Sequence, residues 1–359
     1  MDLRILQVMA GAEQGGAELF FERLCIGLHR AGAHQHILTR PASGRIDRLQ
    51  EAGLRPVLLP FGGRLDLKTM VRMRQEITRF KPAVALAWMN RGARFTPTGS
   101  HVLCARLGGF YDIKYYRHCD WLVCLTEDIR EHVVASGFPR ERTVHLPNFV
   151  PLDRGEPAAR KTLYTPDNVP LIFALGRLHE NKAFDTLLRA LAQVPDAYLW
   201  LAGDGPLRAD LEALARELGI KPRVRFLGWR DDTAALYAAA DLVVFPSRHE
   251  PHGNVVLEAW AQARPLICTA THGPASLITH GEDGLLVPVD DPRALAQTIR
   301  QTLESPALQE ALARGGWESY QARFTEEKVV GAYRAFFEQV VAQRAAERTG
   351  AAHPPAPAA

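Results

Sequence analysis

The sequence predicts an α/β protein made of two doubly wound parallel-sheet domains facing a central cleft. Three observations carry that prediction. Apolar runs alternate with amphipathic segments along most of the 359 residues, the pattern of strands joined by crossover helices. The run 242–245, Leu-Val-Val-Phe, is apolar at every position, as in a strand with both faces covered. The alternation breaks once, at the polar, proline-bearing stretch 151–157, which separates two series of strands.

The first series occupies residues 1–150. It opens with a strand at 3–9, a glycine-containing loop at 11–16 and a helix at 17–31. Strands follow at 36–39, 57–59, 84–88, 102–105 and 121–125. After the linker, the second domain spans 158–324, with strands at 171–175, 198–202, 224–227, 242–245 and 266–269. A last helix is predicted at 325–345, with Thr325 as N-cap and Glu326 and Glu327 complementing the dipole in its first turn. Residues 346–359 are rich in Ala and Pro and are expected to be disordered. No internal repeat is visible.

Composition narrows the function classes. Hydrophobic content of 47% with 23% charge is that of a globular domain, and no apolar run reaches the roughly 18 residues of a membrane span. Met1 to Val8 reads directly into a strand and lacks the regions of a signal peptide, so a cytoplasmic location is expected. The five cysteines are odd in number with no C-x-x-C pair, which points to reduced thiols. Residues 1–150 carry 21 Lys and Arg against 14 Asp and Glu, whereas the remainder is net acidic. Eight of those cations lie between Arg64 and Arg94, and 65–80 has helical periodicity through Leu67, Met70, Val71, Ile77 and Phe80. A basic amphipathic helix is either an ordinary solvated face or a contact for anionic lipid headgroups or an anionic glycolipid. No aromatic interleaving supports a nucleic-acid partner.

The most informative segment is Ser247-Arg-His-Glu250-Pro-His-Gly253-Asn254-Val255-Val-Leu-Glu258-Ala. Residues 246–253 read as a loop and 254–263 as a helix, with Gly253 or Asn254 near the N-cap. Such a start offers unpaired N–H groups at Gly253, Asn254 and Val255 and a positive dipole end, a seat for phosphate. Glu250 lies just before that seat. Glu258 lies one turn inside, roughly 6 Å along the axis at ~1.5 Å per residue. Two carboxylates flanking a phosphate seat suit a ligand with hydroxyls on both sides of a diphosphate, as in a sugar nucleotide.

With its Pro-x-Gly-Asn and Glu-Ala, this segment resembles the E-x7-E signature of the retaining glycosyltransferases of family 4. The resemblance implies a GT-B fold of two Rossmann-like domains and transfer of a sugar from a UDP-, GDP- or ADP-linked donor. Gly176-Arg177-Leu178-His-Glu-Asn-Lys182 resembles the family segment in which Arg and Lys hold the donor diphosphate. By the resemblance, Glu258 binds ribose, Glu250 donor-sugar hydroxyls, and Arg177 and Lys182 the departing diphosphate, whose developing charge fixed cations stabilise. Ala202-Gly203-Asp-Gly205 is either a tight turn or part of the nucleotide pocket, and Phe226-Leu-Gly228-Trp229 resembles the family segment that usually borders the base. Gly15 and Gly16 match the first glycine-rich loop and would meet donor phosphate or acceptor, or serve simple turn chemistry. The matches in the second domain extend over roughly residues 170–290.

One departure stands out. Family members commonly carry a histidine near the fourth or fifth strand, close to the reacting sugar, where this chain has Arg106 or a neighbour. The run Arg106-Leu-Gly-Gly-Phe-Tyr111-Asp112-Ile-Lys-Tyr-Tyr-Arg117 resembles the branch that builds lipopolysaccharide core. Arg106, Tyr111 and Asp112 are therefore acceptor-contact candidates, with a packed aromatic turn as the alternative. No metal is expected at His249 and His252, which lack a third ligand nearby in sequence, and no cofactor beyond the donor is implied. The expected partners are a nucleotide sugar and a glycolipid at the cytoplasmic membrane face. The alternatives are a sugar-nucleotide epimerase on the same fold and a binding scaffold without catalysis.

Overall fold

The structure, a computed structural model, describes residues 3–13, 15–63, 65–151 and 154–349. Among these, thirteen strands form two all-parallel sheets. The first contains β1 (Arg4–Met9), β2 (His34–Thr39), β3 (Val57–Leu58), β4 (Val84–Trp88), β5 (Val102–Leu107), β6 (Trp121–Cys124) and β7 (Thr143–His145). Their spatial order is β3-β2-β1-β4-β5-β6-β7. The second contains β8 (Leu171–Leu175), β9 (Tyr198–Ala202), β10 (Val224–Gly228), β11 (Leu242–Phe245), β12 (Leu266–Thr269) and β13 (Leu285–Val287), in the order β10-β9-β8-β11-β12-β13. Both are doubly wound, with the strand order reversing between β1 and β4 and between β8 and β11. Strands β7 and β13 have no counterpart in the sequence reading. Each is three residues long at a sheet edge, too short to show a period.

The chain divides into two compact units, Val150–Thr325 and a first unit in which Met1–Phe149 is joined by Glu326–Ala359. The final helix, Glu326–Thr349, buries Val329, Tyr333, Phe336 and Phe337 in the same core as Phe20, Trp88 and Trp121. Arg344 ties it to Asp120 at 3.0 Å, and Arg334 donates to the Ala31 carbonyl at 3.0 Å. Ordered helix therefore continues four residues into the tail expected to be disordered, and residues 350–359 lie outside the described residues. So do Leu152 and Asp153 of the expected linker. Beyond them Gly155 packs so closely on the second unit that a Cβ there would stand 2.8 Å from the Ala235 nitrogen.

In the second unit the helix Asn254–Ala261 crosses Pro306–Arg323 at Gly316, where a Cβ would meet the Trp260 ring at 2.3 Å. Trp260 donates from Nε1 to the Asp283 carbonyl at 2.6 Å, which fixes the floor of that helix. In the first unit the basic helix Leu67–Phe80 turns part of its apolar stripe outward. Thr69, Met73 and Glu76 face the core, while Leu67 and Val71 are 67% and 55% exposed. Glu76 enters the core because His36 (2.9 Å) and Arg72 (2.8 Å) pair with it. All five cysteines are free and buried, and burial pushes the Cys119 and Cys124 thiols up to about 12. Among the described residues no helix is long and apolar enough to cross a membrane.

Candidate active site at the strand ends of the second unit

In doubly wound sheets, ligands bind beyond the carboxyl ends of the strands at the point where the order reverses. In the second unit that point lies between β8 and β11. The loop after β8 carries Arg177 and Lys182, and the loop after β11 carries Glu250 and leads into Asn254–Ala261. Topology thus brings together residues some 70 positions apart in sequence. Lys182 Nζ lies 2.5 Å from Glu250 Oε2, both side chains largely withdrawn from solvent. The other carboxylate oxygen of Glu250 accepts from the backbone N–H of Gly253 at 3.0 Å and of His252 at 3.3 Å. Glu250 therefore stands at the helix N-terminus, the electropositive end predicted to seat an anion.

Gly253 is the N-cap, with φ 89°, a left-handed conformation that favours glycine. The first-turn N–H groups of Asn254 and Val255 follow it, at half-buried positions. Glu258, one turn further, accepts from the Tyr237 hydroxyl at 3.1 Å. Tyr237 is 1% exposed and packs edge-on against Phe173 of β8, so it fixes the carboxylate from below. Nothing in the sequence pattern singled out this tyrosine. Arg177 is exposed and makes no ion pair with a described residue.

The glycines have a packing explanation. Gly203 has φ 124°, and a Cβ there would lie 2.0 Å from the Gly176 carbonyl oxygen. A Cβ on Gly205 would lie 2.4 Å from the Leu178 carbonyl oxygen. Gly203 N–H donates to the Gly228 carbonyl at 2.7 Å, so the ends of β8, β9 and β10 meet backbone to backbone. This close contact holds the Arg177 segment in place, since Leu178 N–H donates to the Asp204 carbonyl at 3.0 Å.

The first unit treats its candidates differently. Arg106 is 2% exposed, donates to Tyr333 Oη at 2.8 Å and Asn148 Oδ1 at 2.5 Å, and lies over the Phe20 and Trp88 rings. Burial and these contacts favour a packing role for Arg106 over the expected acceptor contact. Asp112 is exposed, caps the turn Ile113–Tyr115 and pairs with Lys114 at 2.5 Å. Tyr111 is half-buried beside Tyr116, and burial, then the nearby Glu18, raises its hydroxyl pKa. At the loop before helix Gly16–Arg30, a Cβ on Gly15 would stand 2.3 Å from a carboxylate oxygen of Glu18, which is 7% exposed and accepts from Ala12 N–H at 2.8 Å.

Known proteins share this fold. The fold is that of Anabaena Alr3699/HepE in complex with UDP-glucose, with a TM-score of 0.82 at 19% identity over 94% of this chain and 99% of that one. Residues 14–154 match "Glycosyltransferase Family 4" and residues 169–305 match "Glycosyl transferases group 1". The lipopolysaccharide core biosynthesis glycosyltransferase LpsD of Rhizobium meliloti (strain 1021) is 37% identical over 350 residues, 95% of this chain and 100% of LpsD. LpsE of the same strain is 37% identical over 334 residues, 89% of this chain and 95% of LpsE. The chain belongs to the family 4 glycosyltransferases, of GT-B fold. The likeness to the lipopolysaccharide-core branch thus extends along nearly the whole chain rather than one run of residues.

Proposed function

We propose that this glycosyltransferase moves a sugar from a nucleoside-diphosphate sugar, UDP-, GDP- or ADP-linked, to a lipopolysaccharide core or related glycolipid acceptor, with retention at the anomeric carbon. The observation that carries the reading is the ion pair of Lys182 and Glu250 at a helix N-terminus on the β8–β11 reversal point. Glu258, held by Tyr237, is one turn away for ribose. Arg177 and Lys182 bind the diphosphate, joined by the N–H groups of Gly253, Asn254 and Val255, and stabilise the charge that grows as the glycosidic bond breaks. Cations and dipole then do the work for which other transferases use a divalent ion, so transfer is metal-independent. Glu250 takes donor-sugar hydroxyls, and the leaving phosphate oxygen accepts the acceptor's proton.

The acceptor is met at the cytoplasmic membrane face. Leu65, Leu67 and Val71 are exposed beside Lys68, Arg72 and Arg74, with a cavity of about 670 Å³ under Leu58, Pro60 and Val71. Apolar and basic side chains side by side suit anionic headgroups.

The test is a panel of UDP-, GDP- and ADP-sugars, followed by nucleotide release with and without lipopolysaccharide-core acceptors and with chelator present. Release from one donor only when acceptor is added, unchanged by chelator, is the expected result. Release without any acceptor would point to a hydrolase, conversion of the donor to another nucleotide sugar without acceptor to an epimerase, and binding without release or conversion to a scaffold. Glu258→Ala should weaken donor binding, and normal binding would sink the ribose assignment. Sedimentation with anionic vesicles should fall as salt is raised. Salt-independent sedimentation, or none, would remove the membrane from the proposal.

A further inference from the structure

Arg248 lies two residues before Glu250, and sequence gives it no role. In the structure it ties four segments together. Its backbone N–H donates to the Asn181 carbonyl at 2.8 Å, and that of His249 reaches the same oxygen at 3.3 Å. Its guanidinium donates to the Glu180 carbonyl at 2.9 Å and forks onto Asp185 at 2.9 and 2.8 Å. Nε pairs with Asp290 at 2.7 Å, and Asp290 also accepts from Thr186 Oγ1 at 3.1 Å. The short turn Glu180–Lys182 is thereby bound to the Glu250 loop through two successive carbonyls, immediately before Lys182. Asp185 anchors the same guanidinium to helix Phe184–Leu191, and Asp290 to the stretch preceding helix Pro292–Glu304.

We propose that Arg248 is a positioning residue for the transfer reaction, setting the Lys182–Glu250 spacing by clamping the Lys182 turn to the Glu250 loop. The inference rests on the reading of Lys182 as a diphosphate ligand. The physical case is directional. A bidentate arginine–carboxylate fork fixes orientation as well as distance, and here one plane is fixed by Asp185, Asp290 and a carbonyl at once. Pairs this exposed, with Arg248 31% and Asp185 37% open to solvent, add little to global stability. A network of this kind makes more sense as local geometry than as fold stabilisation. Lys182 is on a flexible stem, and its ammonium also lies 4.8 Å from the Phe245 ring centre, so a shift of its turn would carry it off both partners.

The test is a binding cycle on the full chain, using UDP, GDP and ADP in calorimetric titrations and continuing with whichever the wild type binds. Arg248→Ala should weaken that nucleotide by about tenfold, within the range seen for directly coupled residues, with only a small change in Tm. In a Lys182→Ala background the same change should cost less than about twofold, because its effect passes through the lysine. Arg248→Lys keeps the charge but not the fork and should recover only part of the loss. An Arg248→Ala protein that binds as wild type, or a loss of equal size with and without Lys182, would overturn the proposal. Lys182→Ala binding normally by itself would overturn the diphosphate reading and this inference with it. Should Arg248→Ala fail to fold, Asp185→Asn takes its place in the same cycle, with the same non-additivity expected.

Discussion

The two sheets share one winding, and each places a glycine-bearing loop and a helix start at its reversal point, yet they put charge there in opposite ways. In the first unit the carboxylate of Glu18 is 7% exposed, takes the Ala12 N–H, and is enclosed by Gly11 and Gly15. Arg45, 1% exposed, donates to the carbonyl of the same Ala12. In the second unit the carboxylate at the helix start is paired with a lysine, and Arg177 stands exposed nearby. One topology thus yields a carboxylate held by its own loop and a carboxylate paired with a lysine from a neighbouring loop. The difference predicts that charge exchange matters at the second helix start and not at the first.

The sharpest test of that contrast removes the exchangeable cation. Lys182→Ala should lower kcat/KM by about 10²–10³-fold, the usual cost of losing one donor aimed at developing charge. Steady-state nucleotide release with the identified donor checks it. A loss below tenfold would mean that the second loop is as structural as the first. The mirror experiment is Glu18→Ala, which leaves a buried N–H and two close glycines without their carboxylate. It should destabilise the first unit by about 1–3 kcal/mol while nucleoside diphosphate affinity stays within about twofold. Denaturant melts and titrations of the same preparation measure both. A folded Glu18→Ala protein with weakened nucleotide binding would break the comparison.

How far sequence could see follows from the same contrast. The β11–loop–helix join was legible because an all-apolar strand, a Pro and Gly loop and a capped helix are local signals, and the two glutamates ride on them. Both doubly wound sheets were legible from alternation. What stayed hidden depends on contacts distant in sequence. Arg248 meets Asp185 and Asp290 across 63 and 42 positions, and Tyr237 meets Glu258 from another helix. Arg106 reads as a surface or site cation, but its partner Tyr333 lies 227 residues away on a helix returning to the first unit. A usable hint was present there: the arginine continues the apolar strand 102–105 without a break, which argues for burial. Sequence also left open which face of helix Leu67–Phe80 turns inward, which is decided by the distant pairing of Glu76 with His36.

A smaller effect separates holding a site residue from being one. Tyr237→Phe removes the hydroxyl that Glu258 accepts, while keeping the ring against Phe173. Its cost should be that of one neutral-to-charged hydrogen bond, about 1.5–3 kcal/mol at most, and should fall on donor KM rather than kcat. A fall in kcat with KM unchanged would place Glu258 at the reacting sugar instead of the ribose.

The smallest expected effect is in pH. Burial would raise the Asp185 carboxyl, but the hydrogen bonds and charge of Arg248 outweigh it and hold the group below its usual value. A carboxyl whose folded pKa is depressed stabilises the fold above its unfolded pKa, near 3.9, and loses that contribution as pH falls through the lower folded value. The clamp should therefore be intact throughout the neutral range and weaken only in acid below about pH 4. Asp185→Asn should flatten the acid limb of the Tm-against-pH curve slightly, and should leave the slope between pH 6 and about pH 8 as it was. A change confined to neutral pH would mean that some other group, and not the Arg248–Asp185 fork, controls the spacing of Lys182 and Glu250. The first unit offers the control: Glu18→Ala alters a loop that Arg248 does not touch, so combining it with Asp185→Asn should add the two effects without coupling.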